Sequence, residues 1–396
     1  MKRLHTLSTM IMIILCLTRV SAQDKNYQIS GYIKNMEGLF FMDPASQQLM
    51  GMSSSVMDYN LTHQRFNFDY FVSSDLVFTM QMRTRLYAGS MVRYVPQFAE
   101  LTAVDNGKVD MSWNLATGDS WFLNTNIDRL YLDYTYGEWN VTVGRQRINW
   151  GINFIWNPND LFNTYNYLDF DYEERPGTDA VKLTRYFGYT SSFEVAYKMA
   201  DNMIDRTLAA SYRFNYKNYD IQLIGGWKGY DMVIGTGWTG DISGAGFRGE
   251  VSYFQPMTGY KDKSEEALVA SLSLDYTFPK GLYLQSSFLY NSLGTTGDIN
   301  QMSLQYVDTN LSAKNLSLGK YEGFMQASYQ LSPIVYLSGS TIINLSDWSG
   351  YIGPSVTFSL MDDLELMAMG QVFWGKDLTE YGTQPNSVYL RLKYSF

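Results

Sequence analysis

Strict alternation of apolar and polar side chains, sustained over about ten residues at a time, recurs along this chain. Phe78, Met80, Met82, Thr84 and Leu86 alternate with Thr79, Gln81, Arg83, Arg85 and Tyr87. Leu208, Ala210, Tyr212, Phe214 and Tyr216 alternate with Ala209, Ser211, Arg213 and Asn215. Leu268, Ala270, Leu272, Leu274, Tyr276 and Phe278 do the same against Val269, Ser271, Ser273, Asp275 and Thr277. One face of each strand is apolar and the other polar, as lipid outside and water or packed polar groups inside would require. Strands in a bilayer leave no edge unpaired, so the alternation predicts an all-β, closed antiparallel transmembrane barrel.

Short turns punctuate the pattern at Ser73–Asp75, Tyr136–Glu138, Phe187–Tyr189 and Lys217–Tyr219. They recur at Asp241–Gly244, Phe278–Gly281, Leu331–Ile334 and Leu360–Asp363. Longer connections fall between them at 42–59, 89–125, 149–177, 256–266, 293–320 and 375–386. With both termini on the short-turn rim, this spacing predicts about 18 strands, short periplasmic turns and long outer loops. Aromatic residues beside the short turns, among them Tyr134, Tyr136, Trp139, Tyr186, Phe187 and Tyr189, suit a girdle at the lipid–water boundary. A soluble β-sandwich would have shorter strands and polar outward faces.

Residues 1–22 read as a secretory signal peptide, with Lys2 and Arg3, an apolar run from Met10 to Leu17, and Val20-Ser21-Ala22 at the cleavage point. The domain division is therefore a leader over 1–22 and a barrel over 23–396. Cys16, the single cysteine, falls in the leader, where Ile13-Ile14-Leu15 lack the small residue of a lipid-acylation site. Cleavage leaves 27 of the 30 basic residues against 39 acidic ones, a net charge of −12. That balance excludes bulk electrostatic binding of nucleic acid. No later apolar run approaches the roughly 20 residues of a membrane helix. Aromatics make up 16% of the chain against only 9 prolines, which favours strands throughout.

At the end of the chain, Val388, Leu390, Leu392, Tyr394 and Phe396 alternate with Tyr389, Arg391, Lys393 and Ser395. This resembles the terminal strand by which outer-membrane barrels are handed to the barrel-assembly machinery. Tyr394 and Phe396 are then the expected assembly signal.

The stretch from Val141 to Gly177 departs from the hairpin pattern. It begins as a strand and continues as a long, aromatic, acidic loop, a kind of loop that is usually functional in a compact fold. The loop is expected to fold into the lumen. Gly144-Arg145-Gln146, Trp150-Gly151, Asn157-Pro158-Asn159-Asp160 and Arg175-Pro176-Gly177 resemble the signature of a family of porin-like outer-membrane barrels of Gram-negative bacteria, distantly similar to the alginate-export type. Asp179-Ala180 follows where that family usually has Glu-Ala. The resemblance implies an outer-membrane location, surrounding lipid and lipopolysaccharide, and transport of a solute it does not specify.

Catalytic residues are poorly supplied. His63 is the only histidine after the leader, and it shares the inward face with Arg65, Asn67 and Asp69, whereas a lipid-acting barrel needs its base near the outer surface. No enzyme activity and no cofactor is expected. Arg83 and Arg85, Arg129, and Arg145 and Arg147 lie on three neighbouring strands and would form one basic patch of pore wall. Arg213, Asp133, Glu194 and Glu250 complete the expected pore lining. Alternation from Val141 and Val143 turns Arg145 and Arg147 outward, so either a bulge at Gly144 flips them in, the expected case, or they lie above the bilayer. The alternative is that these arginines only neutralise Asp133, Glu194 and Glu250.

The constriction loop is expected to present Asp169, Asp171, Glu173 and Glu174 opposite the arginines, with Trp150, Trp156, Asn157 and Asp160 in the same loop. Such charges act strongly on an ion in a narrow passage. The acids lack the glycine turn and carbonyl ligands of a Ca²⁺ loop, so no metal is expected. Aromatics of the loop serve either as a sliding surface for sugars or as its own packing core, the latter expected for Trp156 and Phe162. Two functions fit: a passive porin-like channel for small polar or anionic solutes, oligosaccharides included, or a barrel plugged by its loop and acting with partner subunits in a larger membrane assembly.

Overall fold

The computed structural model describes residues 26–164, 167–168, 171, 177–297 and 311–396. The leader and the acids Asp169, Glu173 and Glu174 lie outside the described residues. The first strands are β1 (Tyr27–Phe41), β2 (Val56–Phe71), β3 (Leu76–Ala88), β4 (Ser112–Gly118), β5 (Trp121–Tyr136) and β6 (Trp139–Gln146). β7 (Thr178–Phe187), β8 (Ser191–Lys198), β9 (Thr207–Tyr216), β10 (Tyr219–Lys228), β11 (Asp231–Ile242) and β12 (Ala245–Pro256) follow. The last are β13 (Ala267–Thr277), β14 (Tyr283–Asn291), β15 (Tyr321–Ser332), β16 (Val335–Asn344), β17 (Gly350–Met361), β18 (Leu364–Trp374) and β19 (Asn386–Ser395). Short helices α1 (Pro44–Leu49), α2 (Ser90–Tyr94) and α3 (Phe98–Thr102) lie in the outer connections.

All ladder pairs are antiparallel, and β1 pairs with β19, so the sheet closes on itself. The terminal residue completes the seam: Phe396 and Gly31 exchange two backbone hydrogen bonds of 2.9 Å. β4 pairs only with β5, on the flank where β6 takes over further down, and so adds no segment to the ring. Eighteen strands form the barrel. The eight short turns fall where the alternation breaks, and all lie on one rim. Two use consecutive positive φ values, at Lys217–Asn218 and Ser243–Gly244, which match the right-handed twist of the strands they join.

Outward faces are apolar, as the alternation requires. Leu268, Leu272 and Leu274 are exposed, while Ser271 and Ser273 between them are buried. Tyr134, Tyr136, Trp139, Tyr186, Phe187 and Tyr189 are exposed beside the short turns. The apolar core lies inside the barrel, between the wall and the 147–164 segment.

The wall differs from the sequence-based expectation at two places. No residue is inserted at Gly144: its ladders to β5 and β7 run in step on both sides. Gly144 has φ +122°, and a side chain there would strike the Leu130 carbonyl, so glycine is needed without any bulge. The register shift lies on β5 instead. Gln81 pairs with Arg129 and Met82 with Ile127, leaving Asp128 as the extra residue. Nor is 89–125 an open loop. It holds α2, α3 and β4, and β5 already begins at Trp121. Phe98 of α3 packs 5.7 Å from Tyr87 and 5.6 Å from Phe122, over a second inner cluster with Met36 and Leu61.

Candidate functional site: a strap across the lumen

The connection from β6 to β7 crosses the inside of the barrel as a strap bonded to successive strands. Trp150 Nε1 donates to Glu194 on β8, at 3.1 Å. Arg213 on β9 donates to the Asn149 carbonyl. Asn159 Nδ2 donates to Gln222 on β10 and to the Thr236 carbonyl on β11, at 3.0 and 3.1 Å. Ser271 on β13 donates to the Trp156 carbonyl, and Gln371 on β18 to the Leu168 carbonyl. At the far wall, Lys34 on β1 and Arg391 on β19 hold the Asp171 carboxylate at 2.8 and 3.5 Å.

Glu250 on β12 is the central anchor. One carboxylate oxygen accepts the backbone N–H groups of Ile152 and Asn153, and the other accepts that of Asn159 at 2.9 Å. Glu250 is fully buried beneath the strap. It therefore holds the strap and does not line the open passage, a correction to its expected place. The motif residues owe their identities to this packing. A Cβ at Gly151 would strike the Asn157 side chain, so the Trp-Gly pair and the Asn-Pro turn fit only as glycine against asparagine. Gly177 passes the Asp128 carbonyl just as closely, with Arg145 Cγ 2.6 Å from where a Cβ would stand.

The aromatics of the strap form a packing core. Trp150, Trp156 and Phe162 are buried, with Trp150 and Phe162 meeting edge to face at 4.9 Å. Trp156 meets Phe324 on β15, and Tyr167 meets the same ring at 5.0 Å. Trp150 and Trp156 thus face the wall and offer no sliding surface. Asn157 and Asp160 are buried in the same turn. Phe154 lies under the Arg248 guanidinium at 3.9 Å.

The expected basic patch is divided by its partners. Arg83 and Arg65 both bind the extra residue Asp128, at 2.6 and 2.8 Å. Arg85 bonds to the neutral Asn124 at 2.7 Å. Arg129 stands beside the like charges of Arg65 and Arg147 and the opposite charge of Asp128. Arg145 takes Asp179 through two parallel bonds of 2.7 and 3.0 Å, and Asp105 at 2.6 Å. Arg145 keeps the parity of Val143 yet is buried, because Asp105 and the Val109 carbonyl from the 103–111 segment cover it. Asp133, Glu194 and Glu250, the acids expected as counter-charges, have other partners: Asp133 accepts from Asn140 and Thr142, Glu194 from Trp150, and Glu250 from the strap. Asp171, the one described acid of the far loop, faces Lys34 and Arg391 and not Arg83 and Arg85.

On the outer side of the strap lies a cavity of about 1360 Å³. Its walls carry eight basic residues against six acidic ones, in a chain of net charge −9. Residues of the 311–318 segment line it, and the 375–385 loop packs against that segment. Glu380 joins them, accepting the backbone N–H groups of Leu318 and Gly319 at 3.0 and 3.1 Å. Tyr381 is buried beside it, and burial, with the charges of Glu322 and Glu380, pushes its phenol well above the usual range.

Lys34, Asp128, Asp105 and Arg391 did not stand out in the sequence as parts of this site. Lys34 and Arg391 had a signal, since both lie on inward positions of alternating strands. Asp128 had none, because its position follows from a register shift. Among the described residues, no group of His, Cys, Asp or Glu is arranged to hold a metal ion.

No protein-family model matches the sequence, and no curated protein matches it significantly. Solved structures do resemble it in shape. Acinetobacter baumannii OccAB3 is 10% identical with a TM-score of 0.59, covering 94% of this chain and 99% of its own. OccAB1 of the same organism is 9% identical with a TM-score of 0.59, covering 96% and 98%. Pseudomonas aeruginosa OccK11 (OpdR) is 9% identical with a TM-score of 0.56, covering 93% and 96%. At such identities the likeness is one of fold, a closed antiparallel β-barrel.

Proposed function

We propose that this protein is an outer-membrane channel for passive passage of small polar and anionic solutes. The observation that carries the reading is the lumen itself. An 18-strand ring is too wide for its own side chains to fill, and the strap leaves a polar, cation-rich cavity on its outer side. The segments from Gly144 to Gly177 that resemble porin-like barrels of Gram-negative bacteria support it, and so does the apolar belt. In this reading residues 1–22 direct export. Tyr394 and Phe396 engage the barrel-assembly machinery, lipid and lipopolysaccharide surround the barrel, and no catalytic step is involved.

One observation favours a second reading, a plugged barrel serving partner subunits. The strap is packed by a continuous apolar core and reaches from β6 to the β1–β19 seam. Conductance of the purified protein in a planar bilayer decides between them. The channel reading expects a finite, stable current in simple salt. A current indistinguishable from the bare membrane would overturn it.

A further inference from the structure

Lys198, Thr207 and Lys228 form one row across three adjacent strands of the wall. Lys198 is the ladder partner of Thr207, and Thr207 that of Lys228. Their parity turns them into the lumen, and both lysines border the outer cavity. Neighbouring strands lie about 4.8 Å apart, so two flexible lysine side chains leave the wall on either side of the Thr207 side chain.

The row is underused by the protein. Thr207 is fully buried, and its Oγ1 has no hydrogen-bond partner among the described residues. A buried, unsatisfied polar atom costs roughly 1–3 kcal/mol and calls for an explanation. An ammonium carries three N–H donors. Lys228 donates to the Leu161 carbonyl of the strap at 2.6 Å. The Lys198 side chain makes no hydrogen bond or ion pair with any described residue. The nearby acids are mostly engaged: Asp179 by Arg145, and Asp231 by Lys314 at 2.8 Å. Asp205 is exposed at the rim.

We infer that Lys198, Thr207 and Lys228 form an oxyanion subsite, which takes the carboxylate or phosphate group of a solute entering from the outside. Such a group accepts from both ammoniums and from the orphan hydroxyl, and charge-assisted bonds of this kind are the stronger ones. Lys228 also holds the strap, so the anion is received where the strap meets the wall. The inference rests on the channel reading for its biological sense, but its test does not need a current.

The test is calorimetric titration of the detergent-solubilised full barrel with inorganic phosphate, and in a second arm with acetate. Wild-type protein is expected to bind phosphate saturably at one site. Lys198→Met with Lys228→Met should weaken binding at least tenfold, with heat-modifiable migration showing a folded barrel. Lys261→Met with Lys263→Met removes two charges from the same cavity and should leave binding within about twofold. Thr207→Val alters no charge and should weaken binding severalfold, which keeps the test available if the double lysine variant does not fold. Tighter binding of phosphate than acetate would assign the site to phosphorylated solutes, and the reverse order to carboxylates. The inference is overturned if wild-type protein binds neither anion, if Thr207→Val binds as wild type, or if both lysine pairs weaken binding alike. Phosphate binding by a barrel that passes no current would overturn the channel reading alone.

Discussion

Asp128 shows how much one displaced residue can organise. The shift in β5 turns its carboxylate into the barrel, between Arg65 and Arg83. All three are almost fully buried, so the anion compensates two cations out of water. Asp128→Asn should therefore destabilise the barrel by about 3–5 kcal/mol, since it leaves two buried guanidiniums facing a neutral amide. Urea unfolding in lipid vesicles measures this, and a midpoint equal to wild type would contradict the arrangement. The same pairing ranks the arginines. Arg83 spends its charge on Asp128, while Arg85 meets two neutral partners, Asn124 and the Tyr87 ring. Arg85→Ala should reduce anion preference more than Arg83→Ala, read as the reversal potential in a salt gradient. Equal shifts would show that the ion pair leaves Arg83 as active as Arg85.

At the level of the element, the strands were legible and the strap's attachments were not. Alternation is local: Leu268 and Ser271 report their faces through neighbours two residues away. Turn positions follow for the same reason. The strap's partners lie far along the chain, Ile152 and Asn153 on Glu250, and Leu168 on Gln371, and no local pattern announces such contacts. The expected bulge at Gly144 is absent for a physical reason. A glycine in a strand signals either an inserted residue or a close approach, and here it is the approach to Leu130. Glu250 and Phe396 carry the predictions at this scale. Glu250→Ala leaves three strap N–H groups without an acceptor, two of them buried, at a cost of about 1–3 kcal/mol for each buried group left unsatisfied. The strap should loosen and single-channel current noise should rise, with the barrel still heat-modifiable; a quiet, unaltered current would count against the anchor. Deleting Phe396 removes two backbone bonds of the seam and should lower the amount of folded barrel in the membrane. A heat-modifiable band at wild-type abundance would refute that.

For the whole molecule, the fold divides labour between a wall and what the wall encloses. The ring supplies a rigid, apolar exterior and a lumen too wide to fill with its own side chains. The strap and the inward-folded α2–α3 segment supply the interior, each with an apolar patch against the wall. Function then turns on whether the strap narrows the lumen or seals it. Removing Asn153 to Phe170 deletes two of the three strap N–H contacts to Glu250, the Asn-Pro turn and the aromatics from Phe154 to Phe162, and leaves the eighteen strands and their ladders intact. The direct measurement is single-channel conductance of this deletion beside wild type, in the same bilayer and salt. A wild-type barrel with a finite current, and a deletion variant with a larger and less selective one, is the predicted result; equal conductance before and after would place the strap outside the ion path and contradict the account.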